Sequence, residues 1–197
     1  MNEYVTNSIR NVVLVGHGGS GKTSLVEAML HVTGATTRLG SVDDGSTVAD
    51  FEDEERNRQM SISTAMVACV YEDYKINLLD TPGFTDFVGE VKSALQVADA
   101  AIIVVDAVAG VEVGTELVWD YCNEHNLPRF IVINKMDRDN ANYSKALSSV
   151  QQLASDKKLI PVALPWGEKS NFQGIIGMLA QKARPGSGAT TEDIPEE

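Results

Sequence analysis

Eight residues near the N-terminus, Gly16-His17-Gly18-Gly19-Ser20-Gly21-Lys22-Thr23, have the make-up of an anion cradle. The glycines let successive backbone N–H groups turn inward around phosphate oxygens. A helix starting at Lys22 adds the partial positive charge of its N-terminus. Lys22 can reach the β and γ phosphates of a nucleotide, and the Thr23 hydroxyl can bind Mg²⁺. The order Gly, four residues, Gly-Lys-Thr is meaningful between a strand and a helix, and that context is present here. His17 reads as a loop histidine ordered by packing or hydrogen bonding, not as a catalyst.

Two further segments extend the chemistry. Asp80-Thr81-Pro82-Gly83-Phe84 follows the apolar run Ile76 to Leu79. An aspartate on a strand beside a phosphate loop orients Mg²⁺, often through water. Gly83 can bring its backbone N–H close to a γ-phosphate. Asn134-Lys135-Met136-Asp137 follows the strand Phe130 to Ile133. Asp137 can accept hydrogen bonds from N1–H and the exocyclic amine of guanine. Adenine lacks both donors and would leave the carboxylate unpaired, a loss that discriminates strongly. Asn134 can bond the base edge and brace the phosphate loop, and the Lys135 stem can lie along the base face. An ATPase or nucleotide kinase built on the same cradle is disfavoured by Asp137.

The elements that must hold these residues alternate between strand and helix. Strands are expected at Ile9 to Val15, Ile62 to Tyr71, Lys75 to Leu79, Ala100 to Val105, Phe130 to Ile133 and Leu159 to Leu164. Helices are expected at Lys22 to Val32, Phe87 to Val97, Val111 to Glu124 and Ala141 to Leu153. Strands apolar throughout and separated by helices predict an α/β fold with a mostly parallel sheet and helices on both faces. Residues 34–60 form a long, weakly structured connection, the kind that is functional or mobile. Its acidic run Asp50 to Glu55 reads as a solvated helical face. Asn171 to Ala183 is apolar but broken by glycines, and 184–197 reads as a linker or frayed tail.

Composition narrows the function classes. A net charge of −12 argues against a large basic nucleic-acid-binding face. Cys69 and Cys122 lack metal-ligand spacing and read as buried thiols in a reducing compartment. The N-terminus has no signal-peptide pattern, and no apolar run reaches membrane-spanning length. A cytoplasmic, soluble protein with no membrane contact is expected.

The three motifs together, with SIRNVVLVGHGGSGKTSL, GSVDDGSTVADFEDEERNRQMSIS, DTPGFTDFVGEV, AGVEVGTELVW and INKMDR, resemble the N-terminal nucleotide-binding domain of elongation factor G and its factor G-like paralogues, within the translational GTPase family. The similarity runs from about Ser8 to Ala183. It implies a P-loop GTPase fold. In that reading 1–164 is the GTP-binding core, and 165–197 begins an inserted subdomain and ends in a flexible acidic tail. The chain then reads as the N-terminal piece of a longer factor. The stretch before Ile62 resembles the family's first switch, where Ser61 occupies the position of a Mg²⁺-binding threonine. The metal set implied is Thr23, Ser61 and Asp80; the nucleotide set is Gly16 to Thr23, Asp80 to Phe84 and Asn134 to Asp137.

The chain departs from the family at three places. Gly19 stands where an aspartate is usual. Phe84 stands where a histidine helps arrange the attacking water, and Phe has no donor or acceptor. The last guanine-binding motif is not present. Glu90 is nearest the second switch among candidate bases, but no catalytic residue is assigned. The implied function is a Mg²⁺-dependent GTPase domain, cofactors GTP/GDP and Mg²⁺, acting on the ribosome through the full-length factor and slow in isolation. The alternative is a GTP-binding conformational switch with little hydrolysis, because of Phe84. This stretch of chain is expected to be monomeric and not to bind nucleic acid directly.

Overall fold

The computed structural model describes residues 4–186 and 191–194. The chain divides into two compact units, Met1–Val105 with Glu112–Val132, and Asp106–Val111 with Ile133–Glu197.

The first unit is organised by a sheet. Strand β1 (Ile9–Val15) carries Val13, Leu14 and Val15, all fully buried although they point to alternate faces. A strand buried on both faces belongs at the centre of a covered sheet. It pairs in parallel with β3 (Tyr74–Asp80) on one side and β4 (Ala100–Asp106) on the other. Strand β2 (Ala65–Tyr71) returns antiparallel to β3, and β5 (Arg129–Asn134) follows β4, giving the order β2-β3-β1-β4-β5. Helix α1 (Lys22–Val32) packs Val26 and Leu30 onto Leu14, Leu78 and Cys69. Helix α3 (Val88–Val97) packs on β1 and on α4 (Val113–Glu124). The α/β sheet with helices on both faces is as the sequence predicts.

The structure departs from expectation in several places. Strand β2 begins at Ala65 rather than Ile62. The N–H groups of Ile62 and Ser63 are taken by the Glu55 carboxylate, and that of Thr64 by Glu90, so they cannot enter a ladder. The 34–60 connection contains a short helix α2 (Asp53–Arg58), started by a reciprocal capping box between Glu52 and Glu55. Asp50 and Glu55 are buried, so the acidic run is not simply a solvated face. Helix α3 is preceded by a 3-10 turn, Thr85–Phe87.

In the second unit, α5 (Tyr143–Leu153) is capped by the Asn142 side chain, which accepts from the Lys145 N–H. A small antiparallel sheet follows: β6 (Ala163–Trp166), β7 (Gly174–Gly177) and β8 (Lys182–Pro185), in that order. The strand expected at Leu159 is therefore shifted, and Pro161 has no N–H to donate to an earlier start. The glycine-broken run Asn171 to Ala183 supplies a hairpin. The tail expected at 184–197 falls partly outside the described residues. Within them, Glu192 forms a two-hydrogen-bond bridge with Ala183, so this portion is tied down. No helix among the described residues is long and apolar enough to cross a membrane.

Candidate functional site

The cradle is built where β1 hands over to α1. Gly16 has φ +147°, and a Cβ there would lie 2.5 Å from the Val104 carbonyl oxygen. Only glycine fits that crossing. Gly21, left-handed at φ +97°, opens α1 and leaves Lys22 and Thr23 in its first turn. The Lys22 ammonium is buried and donates to the carbonyls of Gly16 and His17, each at 3.0 Å. Burial lowers its pKa to about 8, against the opposing pull of Asp80.

His17 joins the loop to the start of α4. Its Nδ1 accepts the Gly114 N–H at 3.3 Å, and its Nε2 lies 3.5 Å from Glu112 Oε1. This fits the reading of an ordered loop histidine.

Residues 47–63 fold onto α1 through a chain of hydroxyls and carboxylates. The Thr23 hydroxyl is 3.1 Å from that of Ser61. Ser61 donates to Asp50 Oδ1 at 2.8 Å, and Thr47 donates to Asp50 Oδ2 at 3.1 Å. Glu27 of α1, fully buried, accepts the N–H groups of Val48 and Ala49 at 2.7 and 3.1 Å. Glu55 accepts those of Ile62 and Ser63 at 2.9 and 3.0 Å. The sequence reading missed Asp50, Glu27 and Glu55. The usable signals were the Glu52-x-x-Glu55 spacing of a capping box and a glutamate one turn after Thr23 on a helix with a buried face.

Asp80 closes β3. Both its carboxylate oxygens are buried without a hydrogen-bond partner, and the residue is 1% exposed. Burial pushes its pKa up to about 7; the nearby Thr23 hydroxyl and Lys22 ammonium temper the rise. A buried carboxylate so poorly satisfied, beside a Thr23 hydroxyl that itself meets Ser61, is costly unless a cation or ordered water completes it. The donor set, two hydroxyls and one carboxylate, suits a hard, oxygen-seeking ion such as Mg²⁺ that keeps several waters. Among the described residues no group of three or more His, Cys, Asp or Glu is placed to hold a metal by itself.

The turn after Asp80 is pinned to the sheet, because the buried Thr81 hydroxyl donates to the Leu14 carbonyl at 2.6 Å. Gly83 then lies directly on the cradle: a Cβ there would strike the Lys22 ammonium and lie 2.7 Å from the Gly18 N and Cα. Phe84 comes next and is 45% exposed, and a Cβ built on Gly18 would lie 3.1 Å from its ring. Phe84 also borders a small apolar cleft lined by Val88, Val91, Leu117 and Tyr121. Glu90 holds the Thr64 N–H at 2.9 Å, a bracing contact.

The second unit holds the Asn134-to-Asp137 segment. Lys135, at φ +62°, places its ammonium 2.8 Å from Asp106 Oδ2. Burial raises the Asp106 pKa, but the Lys135 hydrogen bond and the Val108 N–H more than offset it, and the net value is lowered. Met136 is buried with Ala107 and Ala141. Asp137 is exposed at the surface of this unit, and Asn134 is half-buried.

A glycine-rich loop joining a buried strand to a helix, with an aspartate ending the neighbouring strand, defines a P-loop nucleotide-binding fold. Comparison with known proteins is more specific. The profile of the elongation factor Tu GTP-binding domain matches residues 7–193, and the chain belongs to this translational GTPase family. It is 43% identical over 173 residues to an elongation factor G-like protein of Mycobacterium tuberculosis, covering 88% of this chain and 23% of that protein. It is 40% identical over 197 residues to elongation factor G of a Thermotoga species, covering 97% of this chain and 28% of that one. A crystal structure of a Thermus thermophilus protein superposes with a TM-score of 0.87 at 37% identity, over 95% of this chain and 28% of that one. The chain spans about a quarter of the length of the curated relatives it matches.

Proposed function

We propose that this chain is the GTP-binding and GTP-hydrolysing switch domain of an elongation factor G-like protein that works on the ribosome in the cytoplasm. The observation that carries the reading is Asp80, a buried carboxylate beside the Thr23 hydroxyl and the Lys22 ammonium at the foot of the cradle, with neither oxygen in a hydrogen bond of full geometry. Residues 165–197 are proposed to open the inserted subdomain.

Thr23 and Ser61 offer hydroxyl oxygens, and Asp80 a carboxylate, that would hold Mg²⁺; when bound, the ion neutralises charge on the phosphate oxygens. Lys22 contributes its ammonium to the β and γ phosphates, and backbone N–H groups of 16–23 complete the cradle. Gly83 lies against Lys22 and Gly18, so its backbone can register what the cradle holds. Asp50 orients the Ser61 hydroxyl. Asp137 selects guanine, Asn134 supports the base edge, and Asp106 fixes Lys135. Phosphoryl transfer depends mainly on positioning and electrostatics, so turnover does not require a basic side chain at position 84.

A second reading, a GTP-bound switch with little hydrolysis, is favoured by one observation. Phe84 lies against Gly18 and presents no polar atom to a water. The deciding experiment is single-turnover phosphate release from GTP and from ATP, by the full-length protein with and without ribosomes. Release from GTP above the protein-free rate, with ATP inert, supports the GTPase. Tight GTP binding with no release sinks hydrolysis and leaves the switch.

A further inference from the structure

We infer that residues 167–172 position the guanine-reading loop, and that this segment sets how strongly guanine is preferred over a base lacking its exocyclic amine. The inference rests on the guanine-site reading of Asp137 given above. Within the second unit, the Lys169 N–H donates to the Met136 carbonyl at 2.9 Å, one residue before Asp137. Glu168 Oε1 accepts the Tyr143 N–H at 2.8 Å and so caps the first turn of α5, which follows the loop. Phe172 packs on the cluster of Ala107, Met136 and Ala141 beneath the loop.

The segment is itself a locked turn. Asn171 and Phe172 donate back to Glu168 and Lys169 at 3.0 and 3.1 Å, and Gln173 donates to Trp166 at 2.8 Å. Gly167 is left-handed at φ +80°, and any Cβ there would collide with the Asn171 carbonyl. Lys169, at φ +58°, aims its N–H outward at Met136. On its other flank the loop is held by Asp106, which pairs with Lys135, and by the Asn142 N–H, which donates to Ala107 at 3.1 Å. The loop is therefore clamped at Lys135, Met136, Asn142 and Tyr143, with Asp137 between the clamps. Asp137 is exposed, so its backbone rather than side-chain packing must set the carboxylate's direction. A carboxylate that reads two donors needs an orientation fixed to a fraction of an ångström, and loosening it weakens the second bond first.

The test compares Kd for GDP, IDP and ADP in the full chain. IDP has the guanine N1–H but lacks the amine. The parent should prefer GDP over IDP by about tenfold or more. Lys169→Pro, which removes the N–H and releases the turn because proline cannot adopt φ +58°, and Phe172→Ala should narrow that ratio several-fold. Lys169→Gly keeps the N–H and tolerates the left-handed backbone, so it should retain the parent ratio. Glu168→Ala should narrow the ratio too, and it supplies the answer where Phe172→Ala does not fold. An unchanged GDP-to-IDP ratio in the folded variants, or equal losses for both nucleotides, overturns the inference. A parent chain that fails to prefer GDP over ADP overturns the guanine-site reading itself, and the positioning role with it.

Discussion

Ser61 donates its hydroxyl hydrogen to the buried carboxylate of Asp50 at 2.8 Å while meeting the Thr23 hydroxyl at 3.1 Å. A hydroxyl so held presents its remaining lone pair in a fixed direction. Ser61→Ala removes this acceptor and strands part of the Asp50 charge. The Mg²⁺ concentration for half-maximal GTP binding should rise about tenfold, the size of one charge-assisted hydrogen bond. Ser61→Thr keeps the hydroxyl and should stay near the parent value. A Mg²⁺ titration with a fluorescent GTP analogue reads both.

Gly83→Ala places a methyl group against the Lys22 ammonium and the backbone of Gly18. The backbone cannot yield, so GTP affinity should fall by about tenfold or more. Gly18→Ala is the informative contrast. The atoms nearest its added methyl are those of the Phe84 ring, at 3.1 Å, and a half-exposed ring can swing aside. Calorimetric Kd values for the pair should differ clearly, and equal losses would contradict the close approach of Gly83.

Phe84→His places a polar atom in the turn after Asp80. Ribosome-stimulated single-turnover hydrolysis should accelerate, with GTP affinity within about threefold of the parent, since Phe84 makes no hydrogen bond through its side chain. A histidine variant no faster than the parent would place the limit elsewhere.

Asp137→Asn exchanges an acceptor for a donor at the base edge. Preference should move from GDP to XDP, whose 2-oxo group accepts from the new amide, with about a hundredfold swing in the Kd ratio. Retained guanine preference would remove Asp137 from base reading.

Lys22 gives a pH signature. Burial lowers its pKa to about 8 in the nucleotide-free protein. Nucleotide phosphates favour the ammonium, so the bound-state pKa is higher, and binding takes up a proton at any pH between the two values. Affinity should therefore hold below pH 8 and decline as pH rises above it. Calorimetry in buffers of different ionisation enthalpy measures the proton uptake directly.

How legible the site was depended on how local its determinants are. The cradle was readable because glycine, lysine and threonine do their work within one turn of chain. Strands β1, β3 and β4 were readable because burial on both faces leaves continuous apolar runs. Residues 47–63 were not, because their order comes from Glu27 and Glu55, acids that look like solvated surface in a sequence. Asp50 was misread for the same reason. Its burial depends on Thr47 and Ser61 arriving from either side. The shift of β2 to Ala65 has one origin too: a carboxylate outcompetes the ladder for two amide hydrogens. The small sheet escaped notice because Pro161, Pro165, Gly174 and Gly177 mask its alternation.

The paired acceptors around residues 47–63 divide the task of holding that stretch. Glu27 of α1 grips one end through Val48 and Ala49, whereas Glu55, inside the segment itself, ties Ile62 and Ser63 back to α2, each by two amides on one oxygen. Ser61 sits next to the second grip, so it cannot withdraw while Ile62 and Ser63 stay. Losing the first grip would strip both amides from the fully buried Glu27 carboxylate, whereas Glu55 keeps the Glu52 N–H, so leaving α1 is the costly step. Amide exchange at Val48 and Ala49 would then report the segment lifting from α1, and exchange at Ile62 and Ser63 the loosening of its own fold, the signature of a clasp whose hook keeps its shape after it is unfastened.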